Sequence, residues 1–253
     1  MEHRVRVNWL GAAIVLALGV AVSLVTSTIV ASRAINTRTK AAAKASQEIT
    51  VKGSARRRVR SDVGVWVVTI RGEGATIAAA YEQIEASEKR VGEFLTTTGF
   101  AAEQRELSAI ETSTFYGRDE KGNATREVSG YVLERVFTIS SSEVERVYAA
   151  ASEVTQLLKE NIPVVSKRPE FYFSQVADLK IQILGEATKD ARARANEIAS
   201  NSGCRVGEVR QAQMGVMQIT QPDSTEVASY GRYDTTTIDK DVSVVVTLTL
   251  GID

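Results

Sequence analysis

The sequence predicts an α+β protein: an N-terminal transmembrane helix, then a mixed, largely antiparallel sheet body with about three helices. Three observations carry this expectation. Residues 9–31 are a 23-residue run without a charge, mostly Ala, Val, Leu and Ile. Beyond them, segments rich in β-branched residues alternate with amphipathic ones in the order β-β-α-β-β-α-β-α-β-β. Finally, Ser174–Gly203 sets Leu179, Ile183, Ala187, Ala191, Ala195 and Ile198 on one helical face. That face is mostly alanine below Ile183, so whatever receives it must approach closely; a sheet surface is the expected partner and a second helix the alternative.

Composition narrows the chemistry. Of 253 residues, 43% are hydrophobic and 25% charged, values of an ordinary globular chain rather than a disordered one. The 31 basic and 31 acidic residues cancel, so no overall attraction to nucleic acid is encoded. The one histidine, His3, precedes the apolar run, which leaves the body without His-dependent triads, bases or metal ligands. Cys204 is alone, so neither an intrachain disulfide nor a two-cysteine metal site can form.

In chain order, Trp9–Ala31 is long enough to cross a bilayer, at the roughly 20 residues a helix needs, and Trp9 suits the interface. Its length and poor small-x-small sites predict an uncleaved anchor rather than a cleaved signal. Arg4 and Arg6 precede it, whereas Arg33, Arg38, Lys40 and Lys44 follow, a balance that by itself places the body in the cytoplasm. Three segments result: 1–33 as tip and anchor, 34–47 as a juxtamembrane tether, and 48–253 as the folded body.

Within the body, Ile49–Gly53 and Asp62–Ile70 read as strands and Thr76–Thr98 as a helix with Ala80, Ile84, Val91 and Leu95 inward, closed by Gly99. Gln104–Tyr116 and Gly130–Ser140 read as a hairpin with a charged tip over Gly117–Glu127. Ser142 is the expected cap of a second helix, with Val144, Val147, Ala151, Val154 and Leu158 inward. Val164–Phe173 is the next strand. After the long helix come a strand over Arg205–Ile219, a polar loop over Thr220–Asp239 and a final strand over Asp241–Leu250.

Candidate chemistry is sparse, and no catalytic, cofactor or metal residue is assigned. Gly72-x-Gly74 opens a phosphate-loop pattern, but Ile77 stands where the third glycine belongs and no GK[ST] occurs. Asp178, Glu186 and Asp190 are carboxylates of the long helix, read as surface charges beside Arg192 and Arg194. Asp239 and Asp241 fit a solvated turn or a weak cation site. Cys204 fits a small core residue or a reactive thiol. Arg56, Arg57, Arg58 and Arg60 fit either a solvated strand edge or turn, or a patch for an anion or acidic partner. Tyr230 and Tyr233 fit either a protein contact or a plain loop, since tyrosine buries area while keeping a polar tip.

Val51-Lys52-Gly53, Thr112–Tyr116 with Gly130-Tyr131 across the hairpin, and the run ATKDARARANEIA (Ala187–Ala199) followed by Gly203 and Gly207 resemble the SIMPL-domain family of bacteria. The resemblance spans Ile49 to Ile252. It implies an α+β body in the cell envelope, periplasmic or surface-exposed, and at least one member forms a large ring-like homo-oligomer. Some members are linked to oxidative-stress tolerance. It carries over no catalytic residue. The expectation is therefore a non-enzymatic, single-pass protein of the bacterial cytoplasmic membrane, with no cofactor, whose extracytoplasmic body forms a homo-oligomer. The alternative is a tethered adaptor binding another envelope protein through the 220–239 loop or the Arg56–Arg60 cluster.

Overall fold

The computed structural model describes Ser32, residues 47–226 and residues 228–252. The expected anchor and tether lie, Ser32 and Gln47 apart, outside these residues, and no described helix is long and apolar enough to cross a membrane. Two compact units are present. The larger comprises Ser54–Ala187 and Met214–Val245; the smaller comprises the described residues up to Gly53, Thr188–Gln213, and those from Val246 onward.

The larger unit is built on a six-stranded sheet. Its strands are β2 (Val63–Gly74), β3 (Arg105–Leu107), β4 (Glu111–Arg118), β5 (Ala124–Ser141), β6 (Val164–Ser166) and β7 (Glu170–Tyr172). The order is β3-β5-β2-β6, with β4 also on β5 and β7 also on β2, and every pairing is antiparallel. Alternation in β2 turns Trp66, Val68 and Ile70 inward, each fully buried. Against them pack Leu133, Phe137 and Ile139 of β5 and the apolar stripe of helix α1 (Ile77–Thr97). That stripe is the expected one, with Ser87 filling the gap in it and bonding back to the Gln83 carbonyl at 2.9 Å. Thr76 caps α1 by accepting from the Ala79 N–H at 3.2 Å, and Gly99 ends it at φ +87°.

Helix α2 (Val144–Glu153) departs from its expected outline. Its cap position is Glu143, which makes no side-chain cap bond; the nearby hydroxyl of Ser141, not Ser142, receives the Glu143 N–H at 3.2 Å. From Val154 to Glu160 the helix tightens to the three-residue turn of a 3-10 helix. Under that period Leu157 follows Ala151 and Val154 into the core, and Leu158 is left exposed.

The second sheet has the order β1-β11-β9-β10, with β8 also on β11. These are β1 (Glu48–Arg60), β8 (Val206–Met214), β9 (Gln218–Thr220), β10 (Arg232–Tyr233) and β11 (Asp239–Ile252). The expected 164–173 strand is two, β6 and β7, because Pro169 has no N–H and holds Arg168 extended. The expected 205–219 strand is also two, parted at Gly215, whose N–H turns to the Val245 carbonyl at 2.8 Å.

Helix α3 (Val176–Asn201) buries Leu179, Ile183, Ala187, Ala191 and Ala195 as expected. The stripe then continues to Ala199 by a step of four, and Ile198 is 49% exposed. The helix closes on Gly203 at φ +74°: Cys204 N–H reaches the Ala199 carbonyl at 2.8 Å and Gly203 N–H the Ser200 carbonyl at 3.2 Å. This paired closure is the Schellman motif.

Candidate interaction surface

The four arginines do not lie between two strands. They belong to β1, a continuous strand of 13 residues, and its pleat sorts them onto two faces. Arg58 makes a two-pronged contact to Asp241 (Nε to Oδ1 2.9 Å, Nη2 to Oδ2 3.1 Å) and also donates to Asp223 at 2.7 Å. Arg56 donates to the Ser224 carbonyl at 2.7 Å, and Asp241 further accepts the Asp223 N–H at 2.8 Å. Arg60 reaches Asp239 at 3.3 Å and Glu145. Arg57, on the other face, reaches Gln182 at 2.6 Å and Glu186. The cluster is thus spent within the protein, tying the 221–224 segment and two helices to β1.

Asp241 is only 2% exposed in its side chain, so it is neither a solvated turn residue nor available to a cation. The Arg58 hydrogen bond, chiefly, holds its carboxyl below the usual range; Arg58 is raised in return, first by Asp241 and then by Asp223. Glu186 serves Arg57, and Asp190 pairs with Arg194 one turn away at 2.9 Å. Among the described residues no three His, Cys, Asp or Glu side chains are placed to share a metal ion. Cys204 is half-buried, between the two readings its sequence allows.

Gly72 and Gly74 serve packing. A Cβ at Gly72 would lie 2.3 Å from the Ala80 carbonyl oxygen, and one at Gly74 would lie 2.6 Å from the Ala80 nitrogen. The pattern that resembles a phosphate loop lets α1 descend onto β2.

The C-terminal part of the polar 220–239 loop is held by a buried lysine. Buried Lys240 donates to the carbonyls of Asp234 (2.6 Å) and Thr237 (2.7 Å) and lies 3.4 Å from the Asp234 carboxylate. Burial alone would raise Asp234. The hydroxyls of Thr237 and Thr236, the Thr236 N–H and the Lys240 charge instead hold it at about 2. Burial pushes Lys240 down, opposed by Asp234. Sequence reading passed over this pair; its one signal is a lysine at the head of the most apolar strand. Tyr233 leans on Tyr172, ring centres 6.2 Å apart, whereas Tyr230 is 96% exposed.

The outer half of the β4–β5 hairpin is largely uncovered. Pairing of β5 with β2 stops at Tyr131, opposite Gly74, while its pairing with β4 continues to Ala124. Beyond Tyr131 the two strands therefore project as an arm. Every residue of β4 but Gly117 is exposed, with Phe115 at 52% and Tyr116 at 53%, and Val128 stands across from Tyr116. The Asp119 carboxylate knots the tip by accepting the N–H groups of Lys121 (2.9 Å) and Asn123 (2.8 Å). At the arm's root a groove of about 370 Å³ is lined by Arg71, Glu73, Phe115, Gly130 and Tyr131.

Fold and surface together define an α+β protein whose β1 arginines are paired internally and whose aromatic hairpin arm is exposed. The chain belongs to the SIMPL family, proteins of unknown function (DUF541), whose model matches residues 49–250. No curated protein matches it. Among solved structures, it is similar at 12% identity to an uncharacterized conserved protein from Listeria innocua, over 78% of this chain and 92% of that one, with a TM-score of 0.22. A second, the ligand-free regulatory subunit of aspartate kinase from Thermus thermophilus, aligns at 11% identity over 78% and 88%, with a TM-score of 0.19.

Proposed function

We propose that this protein is a non-enzymatic, single-pass envelope protein, anchored by residues 9–31, whose extracytoplasmic body assembles into a ring-like homo-oligomer with a stress-protective role. The observation that carries this reading is the projecting arm. Exposed Phe115, Tyr116 and Val128 on one two-stranded element are the kind of surface that association covers. The anchor rests on the apolar run Trp9–Ala31, and the outward placement on family membership.

A second reading is favoured by Tyr230, which stands almost fully exposed in the 220–239 loop: a tethered adaptor that presents this loop to another envelope protein. The native mass of the full-length protein in mild detergent, compared with that of F115S/Y116S, separates the two. A large discrete multiple that falls in the variant supports assembly through the arm. A monomer at micromolar concentration overturns assembly and leaves the adaptor, whose partner capture depends on the loop.

A further inference from the structure

We infer that the arm joins copies of this chain: the outer edge of β4 in one copy pairs antiparallel with the free edge of β5 in the next, and the arms of successive copies close into a barrel. The inference rests on the self-assembly reading above and names how the copies meet.

The arm has two open edges, and they belong to different strands. Among the described residues β4 pairs with β5 alone, and β5 beyond Tyr131 has no β2 beside it. The Val136 carbonyl accepts the Ser108 N–H at 2.9 Å. By the alternation of an antiparallel ladder, Glu134 and Val132 turn their backbone groups the same way, toward Glu111 and Ser113 opposite them. Thr112 and Thr114 therefore turn theirs outward, to the bare side of β4. Neither lysine nor proline, residues that commonly blunt an edge, occurs in Glu111–Arg118 or from Ala124 to Gly130. A lone two-stranded ribbon is marginal in water, whereas three or more strands support one another. Within one copy, the arm lacks a neighbouring strand on each side.

Symmetry selects which edges meet. Pairing β4 with β4 is two-fold and closes at two copies. Pairing β4 with β5 joins unlike edges, so one rotation, repeated, carries each copy to the next until the ring closes. With that axis along the membrane normal, every single-pass anchor enters the membrane from the same side. Because β4 and β5 are antiparallel within the arm, the β4 of the next copy arrives antiparallel to this copy's β5, and the alternation continues around the ring. The arm's two register shifts, at Phe115/Tyr116 and Tyr116/Arg118, serve such a wall, since bulges add the twist and bend that a closing sheet needs. Exposed Phe115, Tyr116 and Val128 all stand on the joining strands.

The test is cross-linking of the full-length protein in mild detergent, with Cys204→Ser as background. Two differently tagged versions are co-expressed, one carrying Thr114→Cys on β4 and the other Val128→Cys on β5, and treated with a short bismaleimide. A covalent dimer bearing both tags is expected from the mixture, and no dimer from either version alone. Thr114→Pro removes an outward N–H and leaves the bonds to β5 in place, so it should weaken self-association about tenfold or more with the monomer's thermal midpoint unchanged. Dimers of Thr114→Cys alone, or an oligomer that forms without the mixed dimer, overturn the arm junction and leave assembly standing. A monomeric wild type removes the assembly reading with it.

Discussion

One strand, β5, has two environments. From Tyr131 to Ser141 it lies between β2 and the β3–β4 edge, with Leu133, Phe137 and Ile139 buried under α1. From Ala124 to Gly130 it has β4 alone, and its residues are open on both faces. The covered half is paired on both edges and lies under a helix, whereas the bare half is paired on one edge and has no helix over it. Strand pairing positions side chains, but only a second layer makes their burial stabilising. The covered half therefore belongs to the fold's stability, and the bare half is free for contacts outside it.

That contrast can be broken hardest in the core. Trp66→Ala, opposite Ile139 on the covered side, should cost about 4 kcal/mol by emptying a fully buried site, read as a lower denaturation midpoint. An unchanged midpoint would mean the covered half is not the stabilising one.

Next in size is Asp234→Asn, which leaves Lys240 buried without its carboxylate and should cost about 3 kcal/mol. The same site sets an acid limit. Asp234 and Asp241 both titrate lower in the folded protein, so the unfolded chain takes up protons first and stability falls as pH drops. The thermal midpoint should hold from pH 7 to 5, then decline from about pH 4 toward 2, with a smaller decline in D234N. A steady loss beginning near pH 6 would contradict this assignment.

Smallest is the arm itself. Phe115→Ser should shift monomer stability by less than about 0.5 kcal/mol, because the side chain is already half in water. A loss near that of Trp66→Ala would show that the arm packs into the fold.

Much of this was legible in the chain. The α1 stripe of Ala80, Ile84, Val91 and Leu95 followed from 3.6-residue spacing, and the end of α3 at Gly203 from the freedom of glycine at positive φ. Departures arose where the local period changed or a neighbour intervened. Leu158 gave way to Leu157 when α2 tightened, and Ile198 to Ala199 when the stripe stepped by four. At the candidate surface, Tyr230 stands exposed in the loop where sequence placed it. The arginines were found, but their purpose was not, because their acidic partners lie 85 to 183 residues away.

The sequence by itself determined the α+β class and most of the inward faces of the helices, since these follow from periods of two and of three or four residues, and its resemblance in particular runs pointed to the family. Tertiary structure decided which charges are spent and which surfaces remain: Arg58 on Asp241, Lys240 over Asp234, and the β4–β5 arm left bare. The physical reason is range. Periodicity is a property of neighbours along the chain, whereas desolvation and ion pairing depend on what distant segments bring to the same few ångströms.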